Sequence, residues 1–263
     1  MSDKKFNIGL VLSGGGARGF AHLGVMQALN EFGIFPDVIS GTSAGALAGV
    51  LYADGYTPLE ILRMMNSFKK YSYLRPTVPK EGLLQFAGII RLLKDNLRAK
   101  RFEDLKIPFF AAATDLNNGK VVYFSKGDLL EPVIASASIP VIFRPVVIDN
   151  IQYVDGGVMD NLPVKPVEDN CNFLIGSFVN AAGYSGTLSG LINIAERTFL
   201  LSMTREINLK IKKFNLFIAP PELRKYKVLD PEKSDKVFEI GYNSTVEKLK
   251  QMDLKTILSE SEV

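Results

Sequence analysis

The chain of 263 residues contains no tryptophan, one cysteine (Cys171) and one histidine (His22). A lone cysteine closes no internal disulfide, which suits a reducing compartment and a cytoplasmic location. One cysteine and one histidine also exclude metal sites built from those side chains, and no metal is expected. The scarcity of histidine bears on catalysis as well. A Ser-His-Asp hydrolase of the α/β type carries its histidine after both nucleophile and acid, and no histidine follows residue 22. Long apolar runs are missing too: none reaches the roughly 18 residues of a spanning helix. Lys4 and Lys5 before Phe6 to Leu12 resemble the start of a signal peptide. That apolar run stops at Ser13-Gly14, with Arg18 close behind, and fits a buried parallel strand better. A net charge of +3 is too small to point to nucleic acid, and no such partner is expected. With 47% hydrophobic residues and no repeat or linker, residues 1–263 read as a single domain.

What the chain does contain is glycine at strand ends. Val38, Ile39 and Ser40 read as the end of a short buried strand, Gly41-Thr42-Ser43-Ala44-Gly45 fits G-x-S-x-G, and 44–53 reads as a helix capped by Gly55. Strand, tight turn and helix are the context in which that pattern exposes a reactive serine. The helix start favours negative charge near the Ser43 oxygen. A Ser-Lys pair of the S-x-x-K kind is absent, because residue 46 is Ala. If Ser43 is a nucleophile, its base is expected to be a carboxylate.

Upstream, Phe6 to Ser13 reads as the first core strand, followed by Gly14-Gly15-Gly16-Ala17-Arg18-Gly19 and a helix over 20–32. The glycines satisfy the dinucleotide fingerprint G-x-G-x-x-G, but the acidic residue that should close the next strand is replaced by Gly41-Thr42-Ser43. The same loop serves a smaller anion: successive backbone N–H groups at a helix start make a nest for an oxyanion. Far downstream, Gln152-Tyr153-Val154 forms a strand that ends at Asp155-Gly156-Gly157. Carboxylates at strand ends are where α/β sheets place functional groups, although an Asp-Gly turn without chemistry is also common.

The remaining chain alternates strand and helix. Thr57, Pro58 and Glu60 make a capping box for a helix to about residue 69. Strands are expected over 107–116 and 121–124, joined by a hairpin turn at Asn118-Gly119, and later over 173–179 and 214–219. Helices are expected over 129–138, 188–210 and 230–252. This alternation implies an α/β fold with a mostly parallel central sheet covered by helices on both faces. Residues 69–101 stand apart, with nine Lys/Arg against two acids, a net of +7. Leu83, Phe86, Ile90, Leu93 and Leu97 recur there at helical spacing. A cation-edged apolar stripe suits a peripheral contact with an anionic membrane surface, such as the inner face of the cytoplasmic membrane. The plainer reading is a helix packed on the core with a solvated charged side.

Taken together, Gly14 to Gly19, Gly41 to Gly45 and Asp155 to Gly157 resemble the patatin-like phospholipase family, as do Ala135 to Pro140 and Asp160 to Pro163. The resemblance covers about residues 6–168, a catalytic core, and leaves 169–263 as a strand and helix extension without an assigned motif. With no other lipid-binding domain ahead of the core, the chain looks like a short bacterial-type member. The resemblance implies a lipid acyl hydrolase, a serine esterase of phospholipase A or lysophospholipase type acting on phospholipid or lysophospholipid. It puts the nucleophile at Ser43 and the general base at Asp155. The oxyanion hole falls on the backbone from Gly14 through Gly15, Gly16 and Ala17 to Arg18, with Gly19, Gly41, Gly45, Gly156 and Gly157 supporting the turns. It implies no cofactor. The alternatives are a lipid transacylase, which passes the acyl group to a second lipid, and a regulatory protein of the same fold with little turnover.

Overall fold

The computed structural model describes residues 4–72, 81–140, 142–180, 187, 189–204, 207–228 and 231–252. In chain order the elements are β1 (Phe6–Leu12), α1 (Phe20–Glu31), β2 (Val38–Thr42), α2 (Ala44–Ala53), α3 (Pro58–Ser72), α4 (Glu81–Asn96), β3 (Phe109–Asp115), β4 (Lys120–Phe124), α5 (Leu130–Ser136), β5 (Val146–Ile148), β6 (Ile151–Asp155), β7 (Cys171–Ser177), α6 (Leu191–Thr204), α7 (Ile207–Ile211), β8 (Leu216–Ile218) and α8 (Ser234–Lys250). The strands join one sheet in the order β5-β6-β3-β2-β1-β7-β8, with β4 also paired to β3. The pairs β1–β2, β2–β3, β1–β7 and β7–β8 are parallel, and β3–β4, β3–β6 and β5–β6 are antiparallel. The expected hairpin at Asn118-Gly119 is present, and a second one joins β5 to β6 through Asp149 and Asn150.

Successive residues of a strand face opposite sides of the sheet, and both sides are buried here. Leu10, Leu12, Ile39 and Ile175 belong to a large core with residues of α1 and α2, such as Leu23, Met26, Leu47 and Leu51. Their neighbours Val11, Val38 and Leu174 belong to a second core with Leu162, Val164 and Val167, against which Ile207 and Phe214 pack. The central strands therefore read as continuous apolar runs rather than alternating ones.

The predicted capping box is formed: Thr57 N donates to Glu60 Oε2 at 2.8 Å and Glu60 N to Thr57 Oγ1 at 3.3 Å. The single helix expected over 188–210 is described as two pieces, α6 and α7, with residues 205 and 206 outside the described set. The last helix starts at Ser234, after a turn at 231–233. In α4, Leu92 and Leu93 are buried in the main core together with Leu97, just beyond the helix, while Arg91 lies exposed and pairs with Asp95 at 3.4 Å. The apolar stripe of this half thus packs inward. Residues 73–80 and the side chains of 81–86, where the rest of the stripe falls, lie outside the described set.

Strand register decides what meets at the C-terminal end of the sheet. Ala111 and Ala112 pair with both β2 and β4, so these two strands flank β3 on opposite sides. Ala113 to Asp115 pair with both β4 and β6, so β6 lies on the same side of β3 as β2. Thr42, the last residue of β2, is opposite Ala112, and Asp155, the last residue of β6, is opposite Ala113. The two strands run toward each other, and their ends abut.

Candidate active site

Ser43 sits where the abutting ends meet. It joins β2 to α2 with φ 53° and ψ −120°. A non-glycine residue in such a sparsely populated region costs about 1–3 kcal/mol and persists only where its surroundings enforce it. The glycines on either side supply that enforcement by allowing close approach. A Cβ on Gly41 would fall 2.6 Å from the Gly45 carbonyl oxygen, and one on Gly45 would fall 2.4 Å from that of Leu12. α2 is thereby pressed onto the strand ends. The Ser43 N–H donates to Ser136 Oγ at 3.0 Å, which fixes the elbow from the α5 side.

Asp155 is fully buried. Its Oδ1 accepts from Gly157 N at 2.8 Å, and its backbone N–H donates to Ser138 O at 2.9 Å. Burial pushes its carboxyl pKa up from 3.8 to about 7, against the downward pull of the Ser43 hydroxyl and the Gly157 N–H. Oδ2 makes no hydrogen bond among the described residues. The Ser43 hydroxyl is therefore near enough to act on the carboxyl without forming a hydrogen bond of normal geometry.

The five residues of the glycine loop differ in what their backbone N–H groups already do. Gly14 N donates to Asn161 O at 3.1 Å, Ala17 N to Val228 O at 2.6 Å and Arg18 N to Gly15 O at 3.1 Å. Only the N–H groups of Gly15 and Gly16 have no hydrogen bond among the described residues. Gly16 has φ 52°, and a Cβ there would fall 2.3 Å from Val228 O. The Arg18 side chain is buried, with Nε donating to Tyr226 O at 2.8 Å. Gly19 lies against Ala44, and Gly156 against the Ala112 carbonyl.

His22 is buried behind this loop, away from any base role. Its Nε2 lies 2.8 Å from Ser13 O and its Nδ1 2.7 Å from Ser177 Oγ. A carbonyl only accepts, so Nε2 carries the proton and Nδ1 accepts from the Ser177 hydroxyl. Burial lowers its pKa to about 4, so the ring is a neutral brace between β1 and β7. Asp160 is likewise engaged: Lys210 Nζ pairs with Oδ1, and Tyr123 donates to Oδ2 at 2.6 Å.

Several groups at the site carry no sequence motif of their own. Asn180, three residues beyond β7, donates from Nδ2 to Gly14 O at 2.7 Å. Its one sequence signal is its place just past the C-terminal end of a parallel strand. Asn161 is buried, and neither of its side-chain amide atoms has a partner among the described residues. It lines a cavity of about 290 Å³ together with Gly157, Leu162, Met203, Ile207 and Lys210. Ser136 and Asn161 both fall inside segments singled out from the sequence, but nothing there marks them as contacts of Ser43 and Gly14. Among the described residues, no cluster of His, Cys, Asp or Glu is placed to hold a metal ion.

A strand-to-helix serine elbow abutting a buried carboxylate, beside a glycine loop in an α/β sheet, defines the class. The family model for patatin-like phospholipase matches residues 10–167, and the chain belongs to that family. It is similar to an uncharacterized NTE family protein of Mycobacterium tuberculosis, 37% identical over 163 residues that cover 61% of this chain and 45% of that protein. It is also similar to lysophospholipase NTE1 of Scheffersomyces stipitis, 28% identical over 269 residues, 90% of this chain and 17% of the relative. The chain thus spans less than half the length of these curated relatives. Among solved structures, VipD from Legionella pneumophila has the same fold, with a TM-score of 0.55 at 17% identity over 94% of this chain and 67% of that one. Among the described residues, no helix is long and apolar enough to cross a membrane.

Proposed function

We propose that this chain hydrolyses the carboxylic ester of a phospholipid or lysophospholipid, with Ser43 as nucleophile and Asp155 as general base. The observation that carries the reading is the abutment of β2 and β6. It brings a strained serine against a fully buried carboxylate whose pKa is pushed up to about 7 and whose Oδ2 has no partner among the described residues. A base poised near neutral pH is the kind that general base catalysis needs, and a carboxylate of ordinary pKa is too weak.

In this mechanism Asp155 Oδ2 takes the proton of Ser43 Oγ as that oxygen attacks the ester carbonyl carbon. The negative charge passes to the carbonyl oxygen, held by the N–H groups of Gly15 and Gly16, which have no other partner among the described residues. Collapse of the tetrahedral intermediate expels the alcohol, which takes the proton back from Asp155 and leaves an acyl-serine. A water molecule then attacks the acyl carbon, giving one proton to Asp155. Release of the fatty acid returns that proton to Ser43. No histidine takes part at any step. The relatives' printed description as lysophospholipase favours lipid esters as the substrate class.

The test is labelling by a fluorophosphonate together with fatty acid release from a panel of phospholipids and lysophospholipids, comparing the wild type with Ser43→Ala. Labelling and release that both vanish in the variant are the expected result. Release that survives in Ser43→Ala would overturn the assignment. Acyl groups recovered on an added acceptor lipid rather than as free acid would make the protein a transacylase.

A further inference from the structure

Asn161 has a buried side chain that the proposed mechanism does not use. Neither Oδ1 nor Nδ2 has a hydrogen-bond partner among the described residues, so the orphaned pair stays the same whichever way the amide is turned. Its backbone is committed, because Asn161 O accepts from Gly14 N at 3.1 Å. The amide therefore projects from a fixed point. A Cβ placed on Gly14 would lie 2.6 Å from Asn161 Oδ1 and 3.1 Å from Ser43 Cβ. A Cβ placed on Gly157 would lie 3.0 Å from Asp155 Oδ1 and 3.2 Å from Asn161 Oδ1. The amide is thus a neighbour of both proposed reacting residues, and it lines the cavity bordered by Leu162, Met203 and Ile207.

Buried polar atoms are almost always paired, so an unpaired amide at a cavity wall points to a ligand group. The chemistry of that group follows from which atoms are orphaned. A carbonyl oxygen, or the oxyanion it becomes, would engage Nδ2 alone and set negative charge beside Oδ1 and Asp155. A hydroxyl both donates and accepts, and it satisfies Oδ1 and Nδ2 together. In the lipid esters proposed above, such a hydroxyl lies next to the scissile ester in a monoacyl glycerophospholipid and is absent from a diacyl one.

We propose that the Asn161 side-chain amide recognises a free hydroxyl on the carbon adjacent to the scissile ester, which makes Asn161 the residue that selects monoacyl over diacyl lipids. This rests on the assignment of Ser43 and Asp155 as the reacting pair. A site built to hydrogen-bond a hydroxyl discriminates against the analogue that lacks it, because the buried polar atoms are then left unpaired.

The experiment compares 1-palmitoyl-lysophosphatidylcholine with its 2-deoxy analogue, both below their micellar concentrations. It reads the ratio of their kcat/KM values in the wild type, Asn161→Ala and Asn161→Ser. The expected wild-type ratio is at least about tenfold in favour of the hydroxyl compound, and in the variants the ratio falls toward one. A wild-type ratio near one overturns the proposal even if neither variant folds. A ratio unchanged in a folded variant overturns it as well, since a purely structural asparagine or an oxyanion donor would slow both substrates alike. If the Ser43 assignment itself were wrong, hydrolysis of both compounds would persist in Ser43→Ala, which separates that failure from this one.

Discussion

Replacing Asp155 with asparagine is expected to inactivate the protein and, at neutral pH, to stabilise it. The carboxyl pKa stands at 3.8 in an ordinary environment and at about 7 in the folded chain, chiefly through burial. Between these values the folded state holds a proton that the unfolded state has released, so stability falls as pH rises through that window. Above pH 7 both states are ionised and the folded state bears the whole difference, roughly 4 kcal/mol. An asparagine is nearly the same size, never ionises, and keeps an oxygen to accept the Gly157 N–H. Its amide would occupy the place of Oδ2, beside a Ser43 oxygen able to accept from it. Urea denaturation of wild type and Asp155→Asn at pH 5, 6, 7 and 8 measures the gap between them. The gap should be widest at pH 8 and narrow by up to about 1.4 kcal/mol per pH unit below 7. His22 titrates in both proteins, so its contribution cancels. A variant less stable than wild type at pH 8, or a gap that does not vary with pH, would refute the account of Asp155 as a carboxylate destabilised by burial.

The same pKa sets a kinetic expectation: kcat/KM should fall with a single-proton slope as pH drops below about 7. Ser43→Ala and Asp155→Asn should each remove nearly all esterase activity, and the double variant should be hardly worse than either, because residues acting as one unit are not additive. His22→Gln should keep substantial activity if it folds. Because the buried ring has its pKa lowered from 6.5 to about 4, the wild type loses stability as pH falls through that range, and the variant should lack this loss, about 3 kcal/mol in urea titrations. Reversing the charge at Arg91 and Lys94 tests the membrane contact proposed for residues 69–101. Binding to anionic vesicles and activity on them should drop while hydrolysis of a short water-borne ester holds, and equal losses on both would mean these residues support the fold.

The elbow was legible in the sequence because its geometry restricts residue choice so severely. Positive φ at Ser43 and close contact at Gly41 and Gly45 leave few residues that fit. Counting histidines was enough to turn attention to a carboxylate, and the neutral brace formed by His22 accords with that. The abutment of β2 and β6 was not legible, since the register of β3 against strands far apart in the chain is written in no local pattern. The use of the loop N–H groups was hidden for the same reason: Val228 and Asn161 consume the N–H groups of Ala17 and Gly14 from distant segments. The stripe in α4 shows a different limit. Its period is the same whether the apolar side meets lipid or protein, and in the described half Leu92, Leu93 and Leu97 meet protein.

The position of β7 has a consequence for how the molecule is made. β1 pairs with β2 on one side and with β7 on the other, from Phe6 opposite Cys171 to Leu12 opposite Ser177. While a ribosome is still translating the segment before Cys171, one side of β1 is an apolar edge with free N–H and C=O groups. Such an edge invites pairing with other nascent chains. The glycine loop waits longer still, because Tyr226 and Val228, which hold Arg18 and Ala17, emerge after β7. A fragment cut after residue 168 is therefore expected to aggregate on expression. A glycine loop whose brace at Tyr226 lies 208 residues beyond Arg18 stays unassembled while that segment is still being made.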